Sequence, residues 1–295
     1  MPIDVQPRFD RARVSSDVVP RRAWRRFGEA RGWIGGFAAT TVTARLRAVD
    51  GTPLVGSLLP GPAADRTAIL LAHGFGANRR KPAYARLAEG LARTAPVLSL
   101  DLRGHGGSGG ASTFGDREHA DVAAGIRWLE GSGYDRVVLV GLSMGATAVL
   151  GAAVDAPNVA GLVLISAPAR FRDPAPVGPL QRLERLWHRP MRRAALAAAL
   201  GVRLAPPSAW AATATPVELV ARLGCPLLVV HGRDDAYFPP SDAVELHAAA
   251  AGPSELWQEP DGFGHAEDGL DPPTIDRLTL AVAAVLADGR FPLAD

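Results

Sequence analysis

The segment from Val137 to Leu150 constrains this chain more than any other. Val137-Val138-Leu139-Val140 is an unbroken run of β-branched residues and leucine, the pattern of a strand buried on both faces. Ala146-Thr147-Ala148-Val149-Leu150 carries the small residues of a closely packed helix. Between them lies Gly141-Leu142-Ser143-Met144-Gly145. A strand that passes into a helix through about one residue must turn sharply at Ser143, and such a turn lifts the hydroxyl above the end of the sheet. It also brings together the residues two before and two after the serine, and both are glycine. In that geometry the backbone N–H of Met144 faces an oxygen held over Ser143.

The rest of the chain alternates in the same way. Ala68–Ala72, Val97–Leu100, Gly161–Ile165 and Leu227–Val230 are short apolar runs, with a weaker one at Glu255–Trp257. Helical periods lie over Pro82–Arg93 (Tyr84, Leu87, Ala88 and Leu91 on one face), Arg117–Leu129 (Val122, Ile126, Leu129) and Thr274–Leu286 (Ile275, Leu278, Val282, Val285). Repeated strand–helix units predict a mostly parallel sheet covered on both faces. Ahead of them, Thr41–Val49 alternates, Asp50-Gly51 is a turn signal, and Leu54–Leu59 returns, which predicts an antiparallel pair. Residues 168–215 break the rhythm with proline, arginine and two helical patterns, Leu180–Trp187 and Met191–Leu200. An insertion at the carboxyl edge of a parallel sheet lies over the ligand crevice, so it reads as a small helical lid. The expected division is a basic extension over 1–36, a core over 37–167 and 216–289, the lid over 168–215, and a tail over 290–295.

Composition narrows the class. A chain of 295 residues with 47% hydrophobic content has material for one sizeable core. The net charge of +2 gives no support for nucleic acid as a partner, and no apolar run is long enough for a transmembrane helix. Lys81 is the only lysine, so the abundant arginines reflect a general preference for that residue rather than a binding surface. In the extension, a short helix over Pro20–Arg31 is expected to pack Trp24 and Phe27 and leave its arginines in water. The single cysteine, Cys225, excludes an internal disulfide and reads as a small buried residue at a strand start. No segment has the form of a signal peptide, so the expected location is the cytoplasm.

A serine hydroxyl is a weak nucleophile and needs a base within hydrogen-bond reach, itself oriented by an acid. His265 lies in the glycine-rich loop Pro260–Glu267, between the last strand and the last helix. The acid belongs on the loop after the Leu227 strand, where Asp234 and Asp235 both stand close enough to turn inward. A second donor for an oxyanion belongs after an early strand. His73-Gly74-Phe75-Gly76 follows Leu70-Leu71-Ala72, and its glycines let the N–H of Phe75 turn toward the oxygen that Met144 faces. His231 reads as a hydrogen-bonded packing residue, and His119, His188 and His247 as surface ones. None has a metal-ligand spacing, so no metal site is expected.

The order Ser143, aspartate, His265, with the His-Gly-Phe-Gly loop and the strand–serine–helix turn, resembles the α/β-hydrolase superfamily. Asp101-Leu102-Arg103-Gly104-His105-Gly106-Gly107-Ser108 is similar to a stretch common in its esterase, lipase and peptidase-like branches. The resemblance covers roughly residues 40 to 288. It implies Ser143 as nucleophile, His265 as base, and Asp235 rather than Asp234 as acid, because Gly232, Asp235 and Pro239 match the family's Gly-x-x-Asp-x-x-x-Pro. It also implies that no cofactor is needed. Serine at the turn departs from the dehalogenase and epoxide hydrolase branches, which use aspartate, and from dienelactone hydrolases, which use cysteine. Leu142 and Met144 depart from the tryptophan usual beside the nucleophile in proline iminopeptidases. The single-glycine loop is similar to that of enzymes for short or medium acyl groups. The expected activity is therefore serine-dependent hydrolysis of a small-molecule carboxylic ester. Acyl transfer, thioester, amide or carbon–carbon cleavage by the same residues is the alternative, and a binding-only protein of this fold a more distant one. Oligomeric state is left open.

Overall fold

A computed structural model describes residues 35–62, 66–170, 181, 185, 187–211 and 214–293. The expected Pro20–Arg31 helix and most of the Leu180–Trp187 pattern lie outside the described residues. Among the described residues the strands form one eight-stranded sheet. They are β1 (Val42–Arg47), β2 (Pro53–Leu59), β3 (Thr67–Ala72), β4 (Val97–Asp101), β5 (Arg136–Leu142), β6 (Val159–Ile165), β7 (Leu227–Gly232) and β8 (Ser254–Glu259), in the order β1-β2-β4-β3-β5-β6-β7-β8. β2 runs antiparallel to both β1 and β4, and every other pairing is parallel. This is the α/β-hydrolase fold.

The helices are α1 (Pro82–Leu91), α2 (His119–Gly131), α3 (Met144–Ala153), α4 (Pro190–Leu200), α5 (Pro216–Val220), α6 (Pro240–Ala249) and α7 (Pro272–Asp288). Their starts follow local rules. Pro82, Pro190, Pro216, Pro240 and Pro272 open their helices, where a missing N–H costs nothing. Asp271 accepts the Thr274 N–H at 2.8 Å, and Gly289 closes α7 in the left-handed conformation.

The period of two in the central strands divides the core into two layers. Leu70, Leu98, Leu139, Leu164 and Val229 face one way and pack with Val122 and Ile126 of α2, Val149 of α3, Val217 of α5 and Leu246 of α6. Ile69, Leu71, Val138, Val140, Val163 and Val230 face the other way, with Leu87 and Leu91 of α1 and Ile275, Leu278, Val282 and Val285 of α7. Each central strand is therefore mostly apolar, because each of its faces carries a layer. Cys225 departs from expectation in degree: it is half-buried rather than buried, since β7 begins two residues later.

Within 168–215, the described part holds α4, a 3-10 turn at Pro207–Ala209, and an irregular strand stitched to the loop after β4. Ser112 and Leu204 form a parallel bridge, and Arg203 N donates to Gly104 O at 2.9 Å while Ser112 N donates to Arg203 O at 2.7 Å. The Arg203 guanidinium adds a hydrogen bond to Gly110 O at 2.7 Å.

Candidate active site

The loops that carry the singled-out residues follow β3, β5, β7 and β8, all at the carboxyl edge of the parallel sheet. At the first turn of α3, Ser143 has φ 52° and ψ −118°, a conformation non-glycine residues avoid at a cost of about 1–3 kcal/mol. Its neighbours make the turn possible. A Cβ on Gly141 would stand 2.4 Å from Gly145 O, and one on Gly145 would stand 2.3 Å from Ala72 O. Ser143 N donates to Ile165 O at 2.9 Å, which fastens the turn to β6.

The structure brings Ser143, His265 and Asp235 together. His265 Nε2 lies 2.9 Å from Ser143 Oγ, and its Nδ1 lies 2.8 Å from Asp235 Oδ2. An ionised carboxylate only accepts, so Nδ1 carries the imidazole proton and Nε2 is free to accept from the serine hydroxyl. Asp235 is held ionised: burial works against its charge, but the hydrogen bond and field of His265 and the N–H groups of Phe238 and Tyr237 outweigh it. Those two N–H groups meet Asp235 Oδ1 at 3.1 and 2.8 Å. The imidazole is also flanked by the rings of Tyr237, at 4.4 Å between centroids, and Phe238, at 5.5 Å.

Asp234 turns elsewhere. Its carboxylate accepts from Gly262 N at 2.7 Å and Gly264 N at 2.9 Å, so it fixes the loop that carries His265. A second tie comes from Ser166, also at positive φ, whose hydroxyl accepts the Ala266 N–H at 2.9 Å.

The loop after β3 passes over Ser143: a Cβ on Gly74 would lie 3.4 Å from Ser143 Cβ. His73 sets its direction. Leu102 N donates to His73 Nε2 at 3.1 Å, so the proton sits on Nδ1, which donates to Gly74 O at 2.8 Å. In a trans peptide the N–H points away from the C=O, so anchoring Gly74 O aims the N–H of Phe75 in the opposite direction. Among the described residues neither Phe75 N–H nor Met144 N–H has an acceptor.

Burial lowers the pKa of His73 and pushes that of His105 down to about 3, so both rings are neutral. His105 Nε2 accepts from Gly76 N at 3.2 Å and its Nδ1 donates to Arg103 O at 2.9 Å, which leaves no nitrogen free for proton transfer. His231 is buried, with Nε2 3.0 Å from Phe238 O and 3.5 Å from Asp235 Oδ2. Its nearest groups belong to the acid's loop rather than to the serine. His188 is exposed, while His119 and His247 are half-buried and bonded to Asp116 O and Ser254 Oγ, so only the first has the expected surface position. The charges of the Asp101–Ser108 stretch tie it to neighbouring segments: Asp101 pairs with Arg79, and Arg103 reaches Asp121 at 2.6 Å and Asp50 at 2.7 Å. Among the described residues no cluster of His, Cys, Asp or Glu is placed to hold a metal ion.

Two acids beside the site leave no mark in the sequence: Glu118, which is buried, and Glu267, which is half-buried. Glu118 accepts from Ser112 Oγ, Thr113 N, Thr113 Oγ1 and Gly115 N at 2.7 to 3.0 Å. The loop so fixed carries Phe114, whose ring lies 4.6 Å from that of Phe75 and 5.0 Å from that of Trp187 in the insertion. Glu267, two residues past His265, receives the hydroxyl of Tyr84 at 2.7 Å.

A family model described as the α/β hydrolase fold matches residues 67–208. Among solved structures, the chain resembles the Pyrococcus furiosus esterase Pf2001, with 20% identity and a TM-score of 0.66 over 85% of this chain and 91% of that one. It resembles an esterase of Thermogutta terrifontis, solved with malate bound, with 24% identity and a TM-score of 0.61 over 84% and 98%. The α/β hydrolase GrgF from a Penicillium species gives 15% identity and a TM-score of 0.65 over 85% and 99%. The family match and the structural likenesses agree that the chain has the α/β-hydrolase fold.

Proposed function

We propose that this protein is a serine hydrolase that cleaves carboxylic esters of short to medium acyl chains through an acyl-enzyme intermediate. The observation that carries the reading is the hydrogen-bonded line from Ser143 Oγ through His265 to Asp235, at 2.9 and 2.8 Å. His265 Nε2 takes the hydroxyl proton as Oγ attacks the ester carbonyl. Asp235 holds the imidazole in its working tautomer and balances the positive charge that forms. The N–H groups of Phe75 and Met144 receive the oxyanion, a contribution of about 3–4 kcal/mol for one such donor. His265 then passes its proton to the departing alcohol, activates water, and the acid leaves. No cofactor enters these steps. Two of the structural neighbours are esterases, which favours the ester over other acyl substrates. Segment 168–215 acts as the lid, supported by Trp187 packed on Phe114 beside Phe75.

Hydrolysis of nitrophenyl esters from acetyl to palmitoyl tests this. The wild type is expected to turn over the shorter esters and to fall off toward palmitoyl. Ser143→Ala is expected to remain folded and lose turnover by several orders of magnitude. Undiminished turnover in that variant would remove Ser143 from the mechanism, and a wild type inert toward every ester would remove the ester.

A further inference from the structure

Tyr84 stands between the two loops that the proposed reaction uses. It lies on α1 with no exposed surface, among Leu87, Ala88 and Leu91. Its hydroxyl accepts the Gly74 N–H at 2.9 Å. The same oxygen lies 2.7 Å from Glu267 Oε2. The phenol has one proton, and an N–H already points at its oxygen, so that proton goes to the carboxylate. The hydrogen bonds therefore have one polarity: Gly74 N–H to Tyr84 O–H to Glu267. The other oxygen of Glu267 pairs with Lys81, the chain's only lysine, one residue ahead of α1. Gly74 is the residue before Phe75, and Glu267 is two residues past His265.

We infer that Tyr84, held by Glu267 and Lys81, is a positioning residue that locks the oxyanion loop to the histidine loop. This rests on the reading of Ser143, His265 and Phe75 given above. The two peptide units that meet at Gly74 are each anchored: the Gly74–Phe75 unit and the one before it. His73 holds the carbonyl of the former, and Tyr84 holds the N–H of the latter. Without the phenolic oxygen the Gly74 N–H is left buried with no acceptor, and the loop shifts to find one. The cost falls on the transition state, because the Phe75 N–H must meet an oxyanion that the bound ester has not yet formed. Substrate binding, which does not use that donor at full strength, changes little.

Tyr84→Phe tests this with the full chain and a short nitrophenyl ester. The expected result is a fall in kcat of about tenfold with KM within about twofold. The affinity of a trifluoromethyl ketone, which forms a tetrahedral adduct on serine, is expected to fall in parallel with kcat. A folded variant with wild-type kcat, or one in which KM rises while kcat and adduct affinity hold, overturns the assignment. Should Tyr84→Phe fail to fold, Glu267→Gln carries the test, since its amide offers one acceptor oxygen to two donors. A loss in kcat of about threefold or more at constant KM supports the lock, and an unchanged kcat overturns it. A wild type that neither hydrolyses the ester nor binds the ketone counts against the hydrolase reading itself, and so is distinguishable from failure of the lock.

Discussion

Ser143 is held at φ 52° by residues that have no side chains of their own. The strain is tolerated because Gly141, Gly145 and the carbonyl of Ala72 fill the space that any Cβ would need. Gly145→Ala places a methyl group 2.3 Å from Ala72 O and 2.6 Å from His73 O, both backbone atoms that cannot rotate away. Chemical denaturation is expected to show a loss of about 2–3 kcal/mol, the usual cost of overpacking a tight site. Equal stability of the variant and the wild type would mean that the turn has slack. The glycines and the serine are legible in the sequence because their turn depends on local spacing, and the histidine because it sits in a glycine-rich loop between the last strand and the last helix. Tyr84 is not: its pattern marks only an inward-facing helix position, and its hydroxyl meets a carboxylate 183 residues away. Glu118 is hidden for the opposite reason. It caps its own neighbourhood, and an acid before a helix has many ordinary uses.

At the scale of elements, the strands were legible wherever both faces carry a layer, since such strands are mostly apolar. β7 runs one turn of the pleat further than its apolar run suggests, because buried His231 and Gly232 continue the ladder with β8. The helix α6 escaped the sequence: its buried positions are Asp242, Ala243 and Leu246, too few apolar residues to show a period. The five-residue α5 is too short for any period, although Thr215 and Glu218 form its capping box.

The joint between α1 and the loop after β8 has a pH dependence that can be measured. Burial opposes the charge of Glu267, but Lys81 and the Tyr84 hydroxyl outweigh it and bring the carboxyl below its ordinary 4.5. The unfolded chain therefore takes up this proton at a higher pH than the folded one does. In that window the unfolded state binds more protons, so stability rises with pH. The contribution is whole above about pH 4.5 and is lost as pH falls through the lower folded value. Thermal unfolding of the wild type and Glu267→Gln is expected to differ most near neutrality and to converge as the buffer is acidified below the ordinary 4.5. A difference that stays constant over that range would mean that the carboxylate is not held in its charged form.

Over the whole molecule, the mostly parallel sheet agrees with what the strand–helix rhythm predicts, and the antiparallel start with the alternation around Asp50-Gly51; the two core layers explain why the rhythm is so plain. The insertion was readable as an interruption and little more. What ties it down is the bridge between Ser112 and Leu204 and the ring of Trp187 against Phe114, contacts between distant segments with no local signature. The site is distributed across the molecule in the same manner, with Ser143 after β5, Asp235 after β7 and His265 after β8. In the proposed mechanism, the folded sheet is what makes three distant residues into one reacting group. The most direct test of that claim is the rate at which a fluorophosphonate labels the intact protein, with the labelled peptide located by mass spectrometry. The account predicts a single adduct on Ser143 and a labelling rate that falls on the order of a thousandfold in Asp235→Asn, where the imidazole loses its orienting carboxylate. Labelling at another residue, or equal rates in the two proteins, would contradict it.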